Sequence, residues 1–260
     1  MASSKTVIYQ KEGGIARITL NRPEVRNAIN LELITEYNEA LNVARRDAGV
    51  RVVVVTGAGS AFCSGIDLAF HRGKSGIEFR SFLEKLYWEM TDIQYNMGKP
   101  TIAAVNGPVL AAGCTLAFSC DVIIASERAR VGYPEINVGL MPAMHLVLLP
   151  RLVGKHKAFE LAFTGEPISA REAERLGLIN RAVPHEEFEA AVGEMAKKLA
   201  AKSPLVTKYC RDAFYRGLDM EFRKAIADAA DVLCILVGSE DAQEGLSAFV
   251  EKREPRWKGR

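Results

Sequence analysis

Three short apolar runs constrain this chain most: residues 52–55 (Val-Val-Val-Val), 102–105 (Ile-Ala-Ala-Val) and 122–125 (Val-Ile-Ile-Ala). None alternates with polar residues. Both faces of each strand therefore need cover, which is the mark of a parallel sheet buried between layers. The first two runs end in small-residue turns, Thr56-Gly57 and Asn106-Gly107, and helical periodicity fills the chain between the runs. Parallel strands joined by helical crossovers make an α/β core. The 260 residues are 48% hydrophobic and 25% charged. That supplies apolar side chains for such a core and excludes a disordered chain.

The flanking segments extend the pattern. Val7-Ile8-Tyr9 and residues 15–20 flank Gly13-Gly14, which reads as a hairpin. Asn30 suits the cap of a helix whose face carries Leu33, Ile34, Tyr37, Leu41 and Ala44. Ser75 and Glu78 have capping-box spacing ahead of a longer stripe from Phe79 through Phe82, Leu86 and Met90 to Met97. A short helix is expected over residues 111–119. Ser169 with Glu172 is a second capping box. Beyond Val183 the periodicity is helical: Phe188, Val192, Met195 and Leu199, then Pro204 opening a helix, then Phe222, Ile226, Ala229, Leu233 and Leu236, then a last helix capped by Ser239. A tail of roughly sixty helical residues is too small for a core of its own. It is expected to pack on the core or on a neighbouring subunit.

Several function classes are excluded. A net charge of +2 argues against a dedicated nucleic-acid binder. No apolar run approaches the roughly eighteen residues of a membrane span. Met1-Ala2-Ser3-Ser4-Lys5 lacks the apolar run of a secretion signal. Cys63, Cys114, Cys120, Cys210 and Cys234 are odd in number and form no CxxC, so all five are expected to be small buried apolar residues. His71, His145, His156 and His185 show no metal-ligand spacing. No metal site is expected, and a reducing, cytoplasmic setting fits best. There is no phosphate loop. Gly57-Ala58-Gly59-Ser60-Ala61-Phe62 has Phe62 where a dinucleotide fingerprint needs a small residue, and Phe62 also rules out a nucleophile elbow at Ser64.

Three segments carry chemistry. Residues 61–68 follow the first buried strand, residues 106–114 lie at a strand-to-helix junction, and Gly132-Tyr133-Pro134-Glu135-Ile136 follows the third strand. Small residues in the first two let a ligand approach the backbone closely. The first amides of a helix lack intrahelical partners and can donate to an oxygen that becomes negative. Glu135 adds a carboxylate that, when partly desolvated, could move protons α to a carbonyl.

These segments resemble the crotonase (enoyl-CoA hydratase/isomerase) superfamily over nearly the whole chain. Asn21-Arg22-Pro23-Glu24-Val25-Arg26-Asn27-Ala28-Ile29 looks like its N-terminal motif. Phe62-Cys63-Ser64-Gly65-Ile66-Asp67-Leu68 is similar to its first oxyanion loop, residues 106–121 to its second, and residues 132–135 to its proton-transfer segment. Residues 164–180 and 248–253 complete the series. The resemblance implies an α/β fold, a crotonase-like spiral of ββα units in residues 1–195, with a C-terminal helical trimerisation region in residues 196–260. It implies homo-trimers or hexamers and acyl-CoA thioesters as substrates, coenzyme A arriving as part of the substrate and no cofactor being permanently bound. Residue by residue, it implies Glu135 as acid/base and the amides of Ile66 and Ala112 as oxyanion donors. Val25, Arg26, Ser64, Asp67, Leu68 and Gly113 would line the coenzyme and substrate path. Phe249 and Lys252 would reach it from the tail of a neighbouring subunit.

The sequence departs from that family at informative places. Hydratases of this kind carry two glutamates; the second matches Glu135, but Thr115 stands at the first. Met141-Pro142-Ala143-Met144-His145 replaces a commonly Gly-rich stretch, and Ala143 stands where dienoyl-CoA isomerases use aspartate. A single carboxylate suits a proton shuttle between C2 and C4 of a bound enolate, so the expectation is 3-enoyl- to 2-enoyl-CoA isomerisation. The alternatives are hydration with a second acid/base such as Tyr133 or His145, decarboxylation through the oxyanion hole alone, or a catalytically silent RNA- or protein-binding relative. The tail after Lys252, with Arg256, Lys258 and Arg260, reads as a solvated terminus.

Overall fold

The computed structural model describes residues 5–260, so most of the N-terminal stretch read above for a secretion signal lies outside the described residues. Among the described residues, nine strands form two sheets. The larger contains β1 (Val7–Glu12), β2 (Ile15–Leu20), β3 (Val52–Gly57), β4 (Thr101–Val105), β6 (Val122–Ser126) and β9 (Arg181–Val183), in the order β1-β2-β3-β4-β6-β9. β1 and β2 are the expected antiparallel hairpin; β2, β3, β4, β6 and β9 run parallel. β5 (Val109–Leu110), β7 (Arg130–Gly132) and β8 (Ile168–Ser169) make the smaller sheet.

The continuous apolar runs are explained by cover on both faces. Alternate residues Val53, Val55, Ala103 and Val105 join Leu33, Ile34, Tyr37 and Leu41 of the helix Leu31–Arg46 in one core. Val52, Val54, Ile102, Ala104 and Ile124 point the other way, against Phe188, Ala191, Val192 and Ala196 of the helix Phe188–Ala200. That helix runs across residue 195 as one piece.

Local signals set the boundaries. The Asn30 side chain accepts from the Leu33 amide at 2.9 Å. Ser75 and Glu78 form a reciprocal capping box. At Ser169 only half the expected box exists: its hydroxyl accepts from the Glu172 amide, but the Glu172 carboxylate is taken by Arg175. The long helix after Ser75 is interrupted, residues Glu84–Glu89 winding as a π-helix before Met90–Tyr95 resumes the α form.

One expectation fails here. Cys63, Cys114 and Cys120 are buried, but Cys210 and Cys234 are exposed, because both lie on the C-terminal helices Pro204–Leu218 and Phe222–Val237, which cover little of the core. In the tail the side chains of Arg256, Lys258 and Arg260 are exposed, as a solvated terminus requires, while its backbone is tied down. Asp241, 1% exposed, accepts from the amides of Lys258 and Gly259, and Trp257 donates to the Ala201 carbonyl. The apolar stripe of Phe222–Val237 buries only Leu236 within the chain and leaves Phe222, Ile226 and Leu233 exposed.

Candidate active site

The N-terminal motif works as a clamp. Asn27 is fully buried with φ 57°, and its amide nitrogen donates to the carbonyls of Ala58, Ala61 and Phe62. It thereby fixes the loop that follows β3. Arg22 donates to the Ala28 carbonyl at 2.6 Å and to Asp67 at 2.9 Å. Burial opposes ionisation of Asp67, but the Arg22 guanidinium and the Phe70 amide outweigh it and hold the carboxyl below its usual range. Asp67 also caps the short helix Leu68–His71. Its carboxylate is therefore already engaged within the chain.

Two loops meet at Gly65. Its φ is +104°, and a Cβ there would sit 2.8 Å from the Ala111 Cβ and 3.6 Å from the Ala112 nitrogen. Only glycine permits that approach. It sets the Ile66 amide beside the start of the helix Ala112–Phe118. Ile66 bridges Ile29 through its neighbours: Ile29 donates to the Gly65 carbonyl and Asp67 donates to the Ile29 carbonyl. The N–H of Ile66 itself, and that of Ala112 at the first helical position, donate to no carbonyl among the described residues. Ala111, just before the helix, holds the strained pair φ 52°, ψ −126°.

A cavity of about 400 Å³ opens at this junction. Ser64, Ile66, Leu68, Ala112 and Glu135 all line it, so five of the expected residues converge. Glu135 lies in the 3-10 turn Pro134–Val138 after β7. Its Oε2 is buried without a hydrogen-bond partner among the described residues, and burial pushes the carboxyl up to about 7. Val25 and Arg26 border the rim: the Ser64 hydroxyl donates to the Val25 carbonyl and the Ser64 amide to the Arg26 carbonyl.

Three expected residues stand apart. Gly113 faces away from the cavity; a Cβ there would meet the Cys63 carbonyl oxygen at 2.4 Å, so its place is dictated by packing between the two loops. Phe249 and Lys252 lie at the end of the helix Glu240–Glu251, exposed, and do not line the cavity of their own chain. Conversely, Phe79, Leu83 and Tyr87 line it from the interrupted helix, and Leu140, Met141 and Ala143 line it from the segment after Glu135. Helical periodicity marks Phe79 and Leu83 as inward-facing, with nothing to separate a cavity wall from core, and it does not mark Tyr87. Tyr87 sits in the π-turn, a common device at functional sites.

Behind the cavity lies a buried polar group. The Thr115 hydroxyl is 3.2 Å from Nε2 of His145, and the His145 and Tyr133 rings are 4.6 Å apart. His145 Nδ1 and the Tyr133 hydroxyl have no partners among the described residues. Burial lowers His145 to about 3 and raises Tyr133 well above its ordinary value. Both are neutral at pH 7. No cluster of His, Cys, Asp and Glu able to hold a metal occurs among the described residues, and no helix there is long and apolar enough to cross a membrane.

Residues 10–260 match the enoyl-CoA hydratase/isomerase family model. The chain is 35% identical to the crotonyl-CoA hydratase of Syntrophomonas wolfei, covering 96% of each protein. It is also 35% identical to the 2,3-dehydroadipyl-CoA hydratase of Escherichia coli, covering 98% of this chain and 99% of that one. An enoyl-CoA hydratase structure from Mycobacterium smegmatis superposes with a TM-score of 0.94 at 34% identity, covering 98% and 99% of the two chains. The α/β spiral with its C-terminal helices is thus the crotonase fold, and the chain belongs to the enoyl-CoA hydratase/isomerase family of enzymes.

Proposed function

We propose that the chain converts acyl-CoA thioesters through an enolate, with Glu135 as acid/base and the amides of Ile66 and Ala112 as the oxyanion hole. The observation that carries this reading is the cavity itself, where a half-buried carboxyl raised to about 7 shares a wall with two amides that donate to no carbonyl among the described residues. A thioester carbonyl bound between the amides gains acidity at C2, because the developing oxyanion is met by preorganised donors, each worth about 3–4 kcal/mol. A carboxyl near 7 is poised both to take and to return a proton at neutral pH.

Thr115 supplies no second base. Isomerisation then follows directly: the Glu135 carboxylate takes a proton from C2 of a 3-enoyl thioester, the double bond shifts into conjugation, and the acid form returns the proton at C4. The helical region from residue 196 is the part we expect a neighbouring subunit to cover in a trimer or hexamer, bringing Phe249 and Lys252 toward the coenzyme. A second reading, hydration of a 2-enoyl thioester, is favoured by the hydratase names of the relatives.

The test is turnover of 3-enoyl- and 2-enoyl-CoA in deuterated water, with product masses recorded for the wild type and Glu135→Gln. Deuterium at C2 and C4 without added water mass is expected, with at least a hundredfold loss in the variant. Added water mass selects hydration. Equal rates in the two proteins across the panel reject the role of Glu135.

A further inference from the structure

Two elements that line the cavity holding Glu135 also line a larger one of about 920 Å³. On the helix Ala112–Phe118, Ala112 lines the smaller cavity, and Thr115, one turn along the same face, lines the larger. At the start of the helix Ala143–Val153, Ala143 lines the smaller and Met144 the larger. The surface of the larger cavity is mainly apolar, with Phe118, Leu148 and Leu178 among its walls.

The two departures from the family pattern meet at this junction. Thr115 replaces a carboxylate, His145 lies in the stretch that replaces glycines, and the two share a hydrogen bond. An ionised carboxylate at position 115 would need water or a partner, and a hydrocarbon chain passing it would strip that solvation. Thr115 brings no charge, and its hydroxyl is already partnered. Burial keeps His145 uncharged at neutral pH.

We propose that the larger cavity receives the far end of the substrate's acyl chain, so that the enzyme favours thioesters with long apolar acyl groups over those of crotonyl size. Thr115 and Met144 then stand at the passage between the reacting carbons and the chain terminus. The proposal rests on the reading of Glu135 and the two amides as the reaction centre.

The experiment separates binding from chemistry. Decanoyl-CoA and butanoyl-CoA carry no double bond and report affinity alone. Calorimetric titration of the wild type is expected to show decanoyl-CoA binding at least about tenfold tighter, since each fully buried methylene is worth about fourfold. Leu148→Trp, which fills the larger cavity, is expected to bring that ratio down to about two. Thr115→Glu, which returns a charge to the passage, is expected to lower it about fivefold or more. A wild-type ratio below tenfold, or a ratio unchanged in both variants, overturns the proposal; the crevice is then a surface for subunit packing. Tight long-chain binding without deuterium exchange at C2 of any enoyl thioester leaves the acyl cavity standing and removes the Glu135 reading instead.

Discussion

The Thr115 hydroxyl stands 3.2 Å from Nε2 of His145, joining two residues thirty positions apart that are both at most 2% exposed. No acidic side chain among the described residues offsets its burial, so His145 is held neutral. Its folded value of about 3 lies far below the ordinary 6.5, because burial penalises the imidazolium. The sign follows from proton binding: below about 6.5 the unfolded chain takes up a proton that the fold refuses. Stability contributed at this site is therefore complete at pH 7 and falls as acidity increases toward 3. Between pH 7 and pH 4 the loss is of order 3 kcal/mol. His145→Phe is expected to flatten that part of the pH–stability curve in urea titrations. An unchanged acid slope in the variant would show that His145 is not held neutral by the fold.

Glu135 has the opposite sign. Its carboxyl is raised from 4.5 to about 7, so the fold favours the neutral form. Proton abstraction needs the carboxylate, and kcat/KM for isomerisation is expected to rise with pH through a midpoint of about 7. The same shift makes ionised Glu135 a cost to the fold: the favourable contribution is complete below about 4.5 and is lost as pH rises through 7. Allowing for its partial exposure, Glu135→Gln should stabilise the protein by about 1–2 kcal/mol at pH 8 and by little at pH 4. Activity and stability thus move in opposite directions in one variant, which thermal melts and initial rates at both pH values can check.

The two loops that carry the Ile66 and Ala112 amides touch through glycines, and their spacing is open to test. A methyl on Gly113 would stand 2.4 Å from the Cys63 carbonyl oxygen, and one on Gly65 would stand 2.8 Å from the Ala111 Cβ. Neither contact can relax without parting the loops that carry the Ile66 and Ala112 amides. Gly113→Ala is expected to cost about 1–3 kcal/mol of stability from overpacking. It should also lower kcat by about a hundredfold or more through displaced donors. Loss of stability with an unchanged kcat would mean that the amide positions do not limit the reaction.

Much of this was legible from residue type. Uninterrupted Val and Ile runs imply strands covered on both faces, and the sheet has layers on both sides for that reason. Asn30, Ser75 and Ser239 mark helix starts because their side chains answer otherwise unpaired amides. Small residues in the Gly65 and Ala112 segments suggest room for a ligand at the backbone; the structure shows Gly65 and Gly113 packed against the neighbouring loop. What stayed hidden depends on distance in space. Glu172 prefers Arg175 to its own cap, and Asp67 pairs with Arg22 across forty-five residues. Periodicity places Phe79 and Leu83 on an inward face but cannot tell a cavity wall from solid core, and it leaves out Tyr87, which the cavity shows. The stripe of Phe222, Ile226 and Leu233 is apolar at helical spacing, yet it finds no cover among the described residues.

The C-terminal helices are fastened to the sheet at one buried ion pair. Arg211, 7% exposed, donates to Asp121 at 2.9 Å and to the carbonyls of Tyr95 and Gln94 at 3.1 and 2.6 Å. Asp121 in turn accepts from the Thr101 amide at 2.7 Å and from the Tyr215 hydroxyl. The guanidinium satisfies three acceptors that would otherwise face the interior alone. Removing one partner of such a pair costs about 3–5 kcal/mol, because the other charge is left buried. Arg211→Ala is therefore expected to lose that much, while Arg211→Lys, which keeps the charge but not the fork, should recover only part of it. The helix Pro204–Leu218 bears Arg211, and it also lines the larger cavity through Phe214 and Leu218. Hydrogen exchange should accordingly rise first across residues 204–218 in Arg211→Ala, ahead of the strands Val52–Gly57 and Thr101–Val105. Uniform loosening of helix and sheet together would show that the pair holds the whole fold rather than this attachment.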